Sequence, residues 1–86
     1  MKCWRGLITE EMSRHDGETW AEVVACTLTD AELSDLFHID YGDPQGKPFT
    51  LWTTKRVYFP ASYDGLEWCA SVSRNPDGKE TDHIGG

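Results

Sequence analysis

No run of 18 apolar residues occurs in this 86-residue chain, so no segment reads as a membrane-spanning helix. The N-terminus, Met1-Lys2-Cys3-Trp4-Arg5, meets charge too early for a secretory leader. Cysteine is scarce. Cys3, Cys26 and Cys69 are odd in number and far apart, which excludes a disulfide framework and predicts a reducing, cytoplasmic setting in which they act as small hydrophobes. Together with His15, His38 and His83 they lack any Cys-x2-Cys or His-x3-His spacing, so no metal or cofactor is expected. A Gly-rich phosphate loop, Gly-x-Ser-x-Gly and His-Glu-x-x-His are all missing. His38 and Asp40 have the types of a base and its orienting acid, but no nucleophile stands near them. His38 reads better as a helix C-terminal residue favoured by the dipole. The expectation is a protein that is not an enzyme.

Lys and Arg are also missing from residues 15–46. That stretch holds Asp16, Glu18, Glu22, Asp30, Glu32, Asp35, Asp40 and Asp43, and the remainder is nearly neutral. The net charge of −7 therefore belongs to the middle of the chain. A solvated, solubilising face accounts for it, and so does a face that meets a basic partner. An acidic chain does not bind nucleic acid by counterion release. It can fill a basic groove built for nucleic acid.

What the chain does have is aromatic side chains: four Trp, three Tyr and three Phe. A domain this short has a small core, and large rings enlarge it. Two of the rings recur in a pattern, Trp-x11-Asp-Gly-x2-Trp, first from Trp4 to Trp20 and again from Trp52 to Trp68. Asp-Gly between β-prone runs signals a hairpin, because Gly takes positive φ without strain. Residues 3–13 and 18–27 are thus expected as the arms of one hairpin and 56–63 and 66–73 as the arms of another, with or without a true internal duplication.

Thr29-Asp30-Ala31-Glu32 is a capping box, and Leu28 and Leu33 stand at the positions of a hydrophobic staple. Leu33, Leu36 and Phe37 follow at helical spacing, which predicts a short helix over about residues 30–38. Residues 39–48 are a loop by composition, with Tyr41 between Asp40 and Asp43 as a candidate interface anchor or a ring folded onto the core. Asp30, Glu32, Asp35, Asp40, Tyr41 and Asp43 form the candidate partner-binding set.

Residues 49–54 read as a further strand. A two-residue Asp64-Gly65 turn places Val57, Phe59, Ala61, Tyr63, Leu66, Trp68, Ala70 and Val72 on one face of the second hairpin. Arg56, Tyr58, Pro60, Ser62, Glu67, Cys69, Ser71 and Ser73 fall on the other. Pro60 lacks an amide hydrogen, so its strand is expected at an edge or a bulge. The apolar face and the helix stripe need each other. The expected fold is therefore α+β, a small antiparallel sheet in β-β-α-β-β-β order with one short helix on one face and a core shared by Leu33, Phe37, Phe59, Trp68 and Val72. Residues 1–73 make a single domain, and 74–86 are a polar tail expected to be mobile.

Two resemblances bear on function. The terminal Gly85-Gly86 resembles the ends of ubiquitin-like and sulfur-carrier proteins, which implies a β-grasp fold and a carboxylate that is adenylated and conjugated. The stretch Phe49-Thr-Leu-Trp-Thr-Thr-Lys-Arg-Val-Tyr-Phe-Pro60, with Tyr63-Asp-Gly-Leu-Glu-Trp68 and Ser73-Arg-Asn-Pro76, is similar to small acidic proteins of bacteriophages and prophages. That likeness implies an accessory protein of the antirestriction or anti-CRISPR type, one that binds a basic surface of a host nucleic-acid-processing protein. It is also compatible with a phage assembly component that self-associates through the edge near Pro60.

Overall fold

Trp4, Leu7, Ile8, Glu11 and Met12 recur at the three- and four-residue spacing of one helix face, and all five are buried. In the computed structural model, which describes residues 1–39 and 43–85, helix α1 spans Trp4–Met12. This corrects the hairpin arm expected over 3–13. Leu, Met and two Glu favour helix there, and only Ile8 and Thr9 are β-branched. Gly17 does take positive φ, 76°, but it turns the chain after a helix and not between strands. The tryptophan repeat is therefore not a structural duplication: Trp4 opens a helix, whereas Trp52 lies in a strand.

A single 3-10 turn, Trp20–Glu22, leads into β1 (Val23–Cys26). The capping box forms as written. The Glu32 amide donates to Thr29 Oγ1 at 3.1 Å, and Glu32 Oε1 accepts from the Thr29 amide at 3.0 Å. Helix α2 spans Asp30–Ser34 and stops short of residue 38, because Asp35 turns to extended backbone and Phe37 pairs with Lys2. Strands β2 (Leu51–Thr53), β3 (Arg56–Tyr63) and β4 (Leu66–Ser73) follow. The sheet is antiparallel in the order β1-β2-β3-β4, and the fold class is α+β.

The second hairpin has the expected register, with Tyr63 opposite Leu66 and Phe59 opposite Ala70. Asp64 (φ 53°) and Gly65 (φ 84°) both take the left-handed conformation that a two-residue turn of this hand requires. β2 pairs with β3 only at Val57 and Tyr58, so Pro60 lies past the end of that ladder and costs it no hydrogen bond.

Trp4, Leu7, Ile8, Met12, Leu33, Phe49, Leu51, Tyr58 and Cys69 form the core, between α1 and one face of the sheet. Leu33 belongs to it and Phe37 packs against it, as expected. Phe59, Trp68 and Val72 do not, which corrects the shared core assigned to them. Residues 74–85 contain no helix or strand, and every one of them is exposed. No helix among the described residues is long and apolar enough to cross a membrane.

Candidate interaction face

The polar face of the second hairpin is the one that α1 covers. Tyr58 and Glu67 on it are buried, each with a partner supplied by another segment. Tyr58, with no exposed surface, donates its hydroxyl to Glu18 Oε1 at 2.7 Å, and Thr53 Oγ1 donates to the same oxygen at 2.7 Å. Burial, reinforced by the Glu18 carboxylate, raises the Tyr58 phenol above its ordinary range. Glu67 accepts the amides of Gln45 and Gly46, each at 2.8 Å. Burial likewise pushes the Cys69 thiol up to about 12, with the Glu11 charge adding to it, so this thiol is unreactive at neutral pH.

The opposite face is left open. Val57, Phe59, Ala61, Tyr63, Leu66, Trp68, Ala70 and Val72 point there, joined by Trp52, which pairs with Val57, and Ala25, which pairs with Trp52. Val24, at the irregularity in β1, is 56% exposed. Tyr63 is 60% and Leu66 57% exposed, and Trp52, Val57, Phe59, Trp68 and Val72 are half-buried. Ala70 is buried, 5% exposed; none of the other side chains packs against the core. The face carries three aromatic rings on β3 and β4, a fourth on β2, and no group charged at neutral pH. Contiguous apolar surface of this kind is uncommon on folded chains outside interaction surfaces.

Of the acidic candidates, Asp30 and Glu32 lie in α2 and Asp35 caps its end. Asp30, Asp35 and Asp43 are exposed. Asp30 faces Arg5 at 3.4 Å. Glu32 is committed to the capping box and to Lys47, whose Nζ lies 2.6 Å from its second oxygen. Asp40 and Tyr41 lie outside the described residues. The acidic stretch has no base of its own, but folding brings two bases to it from elsewhere in the chain. The Lys47 ammonium, then the Thr29 amide and hydroxyl, hold the Glu32 carboxyl down to about 2 from its ordinary 4.5. A carboxyl lowered by folding stabilises the native state above its unfolded pKa and loses that contribution as pH falls through the folded one. Glu32→Gln is therefore expected to flatten the fall in melting temperature between pH 4.5 and about 2. Thermal melts of both proteins across that window check it, and equal slopes would remove the carboxylate's role.

One polar cluster has the residue types of a nucleophilic relay. Ser71 Oγ lies 3.3 Å from His15 Nε2, and Glu11 Oε2 lies 3.1 Å from the same nitrogen. A relay needs the carboxylate on one ring nitrogen and the hydroxyl on the other. Here Ser71 donates directly to Glu11 at 2.7 Å and accepts from Arg56 Nε at 2.9 Å. The cluster fastens α1 to β4 and does not activate the serine.

The face residues were grouped correctly by period-two alternation. Alternation does not say which face is inside. The signal that decides it is the stripe of Trp4, Leu7, Ile8 and Met12, which supplies the apolar half of the core and leaves the hairpin's own apolar half outside. Set against known proteins, the chain matches no family model, no curated protein and no solved structure.

Proposed function

We propose that this chain is a protein-binding module that works through the outer face of its sheet. The observation that carries the reading is the placement of Trp52, Val57, Phe59, Tyr63, Leu66, Trp68 and Val72 on a face that no element of the chain covers. Large rings on a firm β-scaffold bury much area at little cost in side-chain entropy, which suits an anchor surface. The scaffold is firm because the other face of the same strands is tied by hydrogen bonds to Glu18, to the Gln45 and Gly46 amides and, through Ser71, to Glu11 of α1.

A second contact is favoured by the exposure of Asp30, Asp35 and Asp43 on the opposite side. Together with Glu32, Asp40 and Tyr41 they suit a basic protein surface, as in an inhibitor of a host nucleic-acid-processing protein, the class that the phage resemblance implies. The two contacts separate by salt. Capture from a host lysate by the immobilised chain is expected to survive high salt and to be lost in Leu66→Lys, because apolar burial is not screened. A partner lost at high salt and in Asp30→Lys with Asp35→Lys, but kept in Leu66→Lys, would move the interface to the acidic side.

A further inference from the structure

We infer that the occupant of the open sheet face is a second copy of this chain, packed sheet against sheet. This rests on the reading of that face as a binding surface. Three observations point to the second copy.

The first is area. Strands of eight residues rise about 3.3 Å per residue and lie about 4.8 Å apart, so β3 and β4 present a face of about 26 by 10 Å, and β1 and β2 widen it. With side chains standing on it, its accessible surface is on the order of 600–800 Å², what one partner brings to a stable interface of standard size. The chain's total accessible surface is 5733 Å². A compact monomer of 9.7 kDa exposes about 5,100 Å². The exposed 74–85 tail is enough to account for that surplus, so the face is judged on its own dimensions.

The second is charge. The molecule measures 35 × 29 × 19 Å along the principal axes of its Cα atoms. Asp30 and Glu32 belong to α2, which packs through Leu33 into the core on the covered side of the sheet. Stacked sheets lie about 10 Å apart, which places the two acidic helix layers on the order of 30 Å from each other. That exceeds the Debye length of about 8–10 Å at physiological salt, so a net charge of −7 per copy does not oppose this arrangement as it would a contact through the acidic side.

The third is the chemistry of the face. It offers no charge to select a basic or an acidic partner. It offers alternating rings and small residues, Phe59 opposite Ala70 and Trp68 opposite Ala61, which give bumps and hollows that a copy of the same face can fill.

Sedimentation equilibrium of the full chain from about 1 to 100 µM, a range set by the affinities of such interfaces, tests the inference. The expected mass is twice 9.7 kDa at the upper end. Leu66→Lys is expected to weaken association at least about tenfold with an unchanged circular dichroism spectrum, since Leu66 is already 57% exposed and supports no core. A dimer that persists in Leu66→Lys would mean pairing elsewhere, such as along the β4 edge, and would overturn the proposal. A chain monomeric at 100 µM would overturn it too. If that monomer still captures a different protein in a Leu66-dependent way, the binding-module reading stands and only the second copy falls. If it captures nothing, both fall.

Discussion

Trp4→Ala is expected to remove about 3–5 kcal/mol of stability, most of what a domain of this size has. Trp4 is 1% exposed. Its ring meets Phe49 at 4.7 Å and Phe37 at 5.2 Å between centroids, and its indole nitrogen donates to the Lys47 carbonyl at 2.9 Å. Truncation leaves a cavity between α1, the Phe37 bridge and the loop before β2, and takes the indole donor from the Lys47 carbonyl. Trp68→Ala is expected to cost only about 1 kcal/mol in the dilute, monomeric chain, because its ring stands on the open face. Urea unfolding of the two variants at low concentration orders them. If Trp68→Ala is the costlier, the two faces of the sheet have been exchanged and the interaction surface falls with them.

That comparison shows what was legible in the sequence. The second hairpin was, down to its register, because Asp64-Gly65 fixes the turn and strict alternation fixes the faces. The start of α2 was, because a capping box is a local device that needs no tertiary partner. Its end was not: Leu36 continues the helical spacing, but Phe37 is drawn into a backbone pair with Lys2, thirty-five residues away in sequence, and Leu36 is left 61% exposed. The first element was misread because Asp16-Gly17 looks like a hairpin turn and the Trp spacing looks like its twin. The stripe from Trp4 to Met12 was present all the while, with Glu11 disguising it as a polar position. Glu11 is 7% exposed because Ser71, His15 and Arg14 surround its carboxylate, and no local pattern announces Ser71, sixty residues away.

The acidic stretch is less naked in the fold than along the chain. Composition counts charges along the chain, whereas folding pairs them across it. Arg5 and Lys47 flank the stretch in sequence and reach Asp30 and Glu32 in space. The remaining exposed carboxylates, Asp35 and Asp43 among them, keep that side acidic without making it a dense cluster.

Glu67→Gln is expected to destabilise the fold by about 2–4 kcal/mol, from the loss of a charge-assisted hydrogen bond and one stranded buried donor. On its strand Glu67 reads as a solvent-facing acid, yet it is 3% exposed. Its two oxygens accept separately from the Gln45 and Gly46 amides, and so fix the segment before β2 against the sheet. A glutamine has one acceptor oxygen, and its amide nitrogen would confront the second backbone N–H, donor against donor. The segment has little room to adjust. A Cβ on Gly46 would come within 2.7 Å of Trp4 Cζ2 and 2.9 Å of Phe37 Cζ, so the backbone is seated hard against the core rings. Glu67→Gln and Gly46→Ala act on one contact, and their costs are expected to be less than additive. Thermal and urea unfolding of the two single variants and the double variant measure this. A Glu67→Gln protein that melts with wild type would mean that Glu67 does not hold the loop, and the covering of the helix-side face would have to rest on the apolar contacts of Trp4, Phe37 and Phe49 alone.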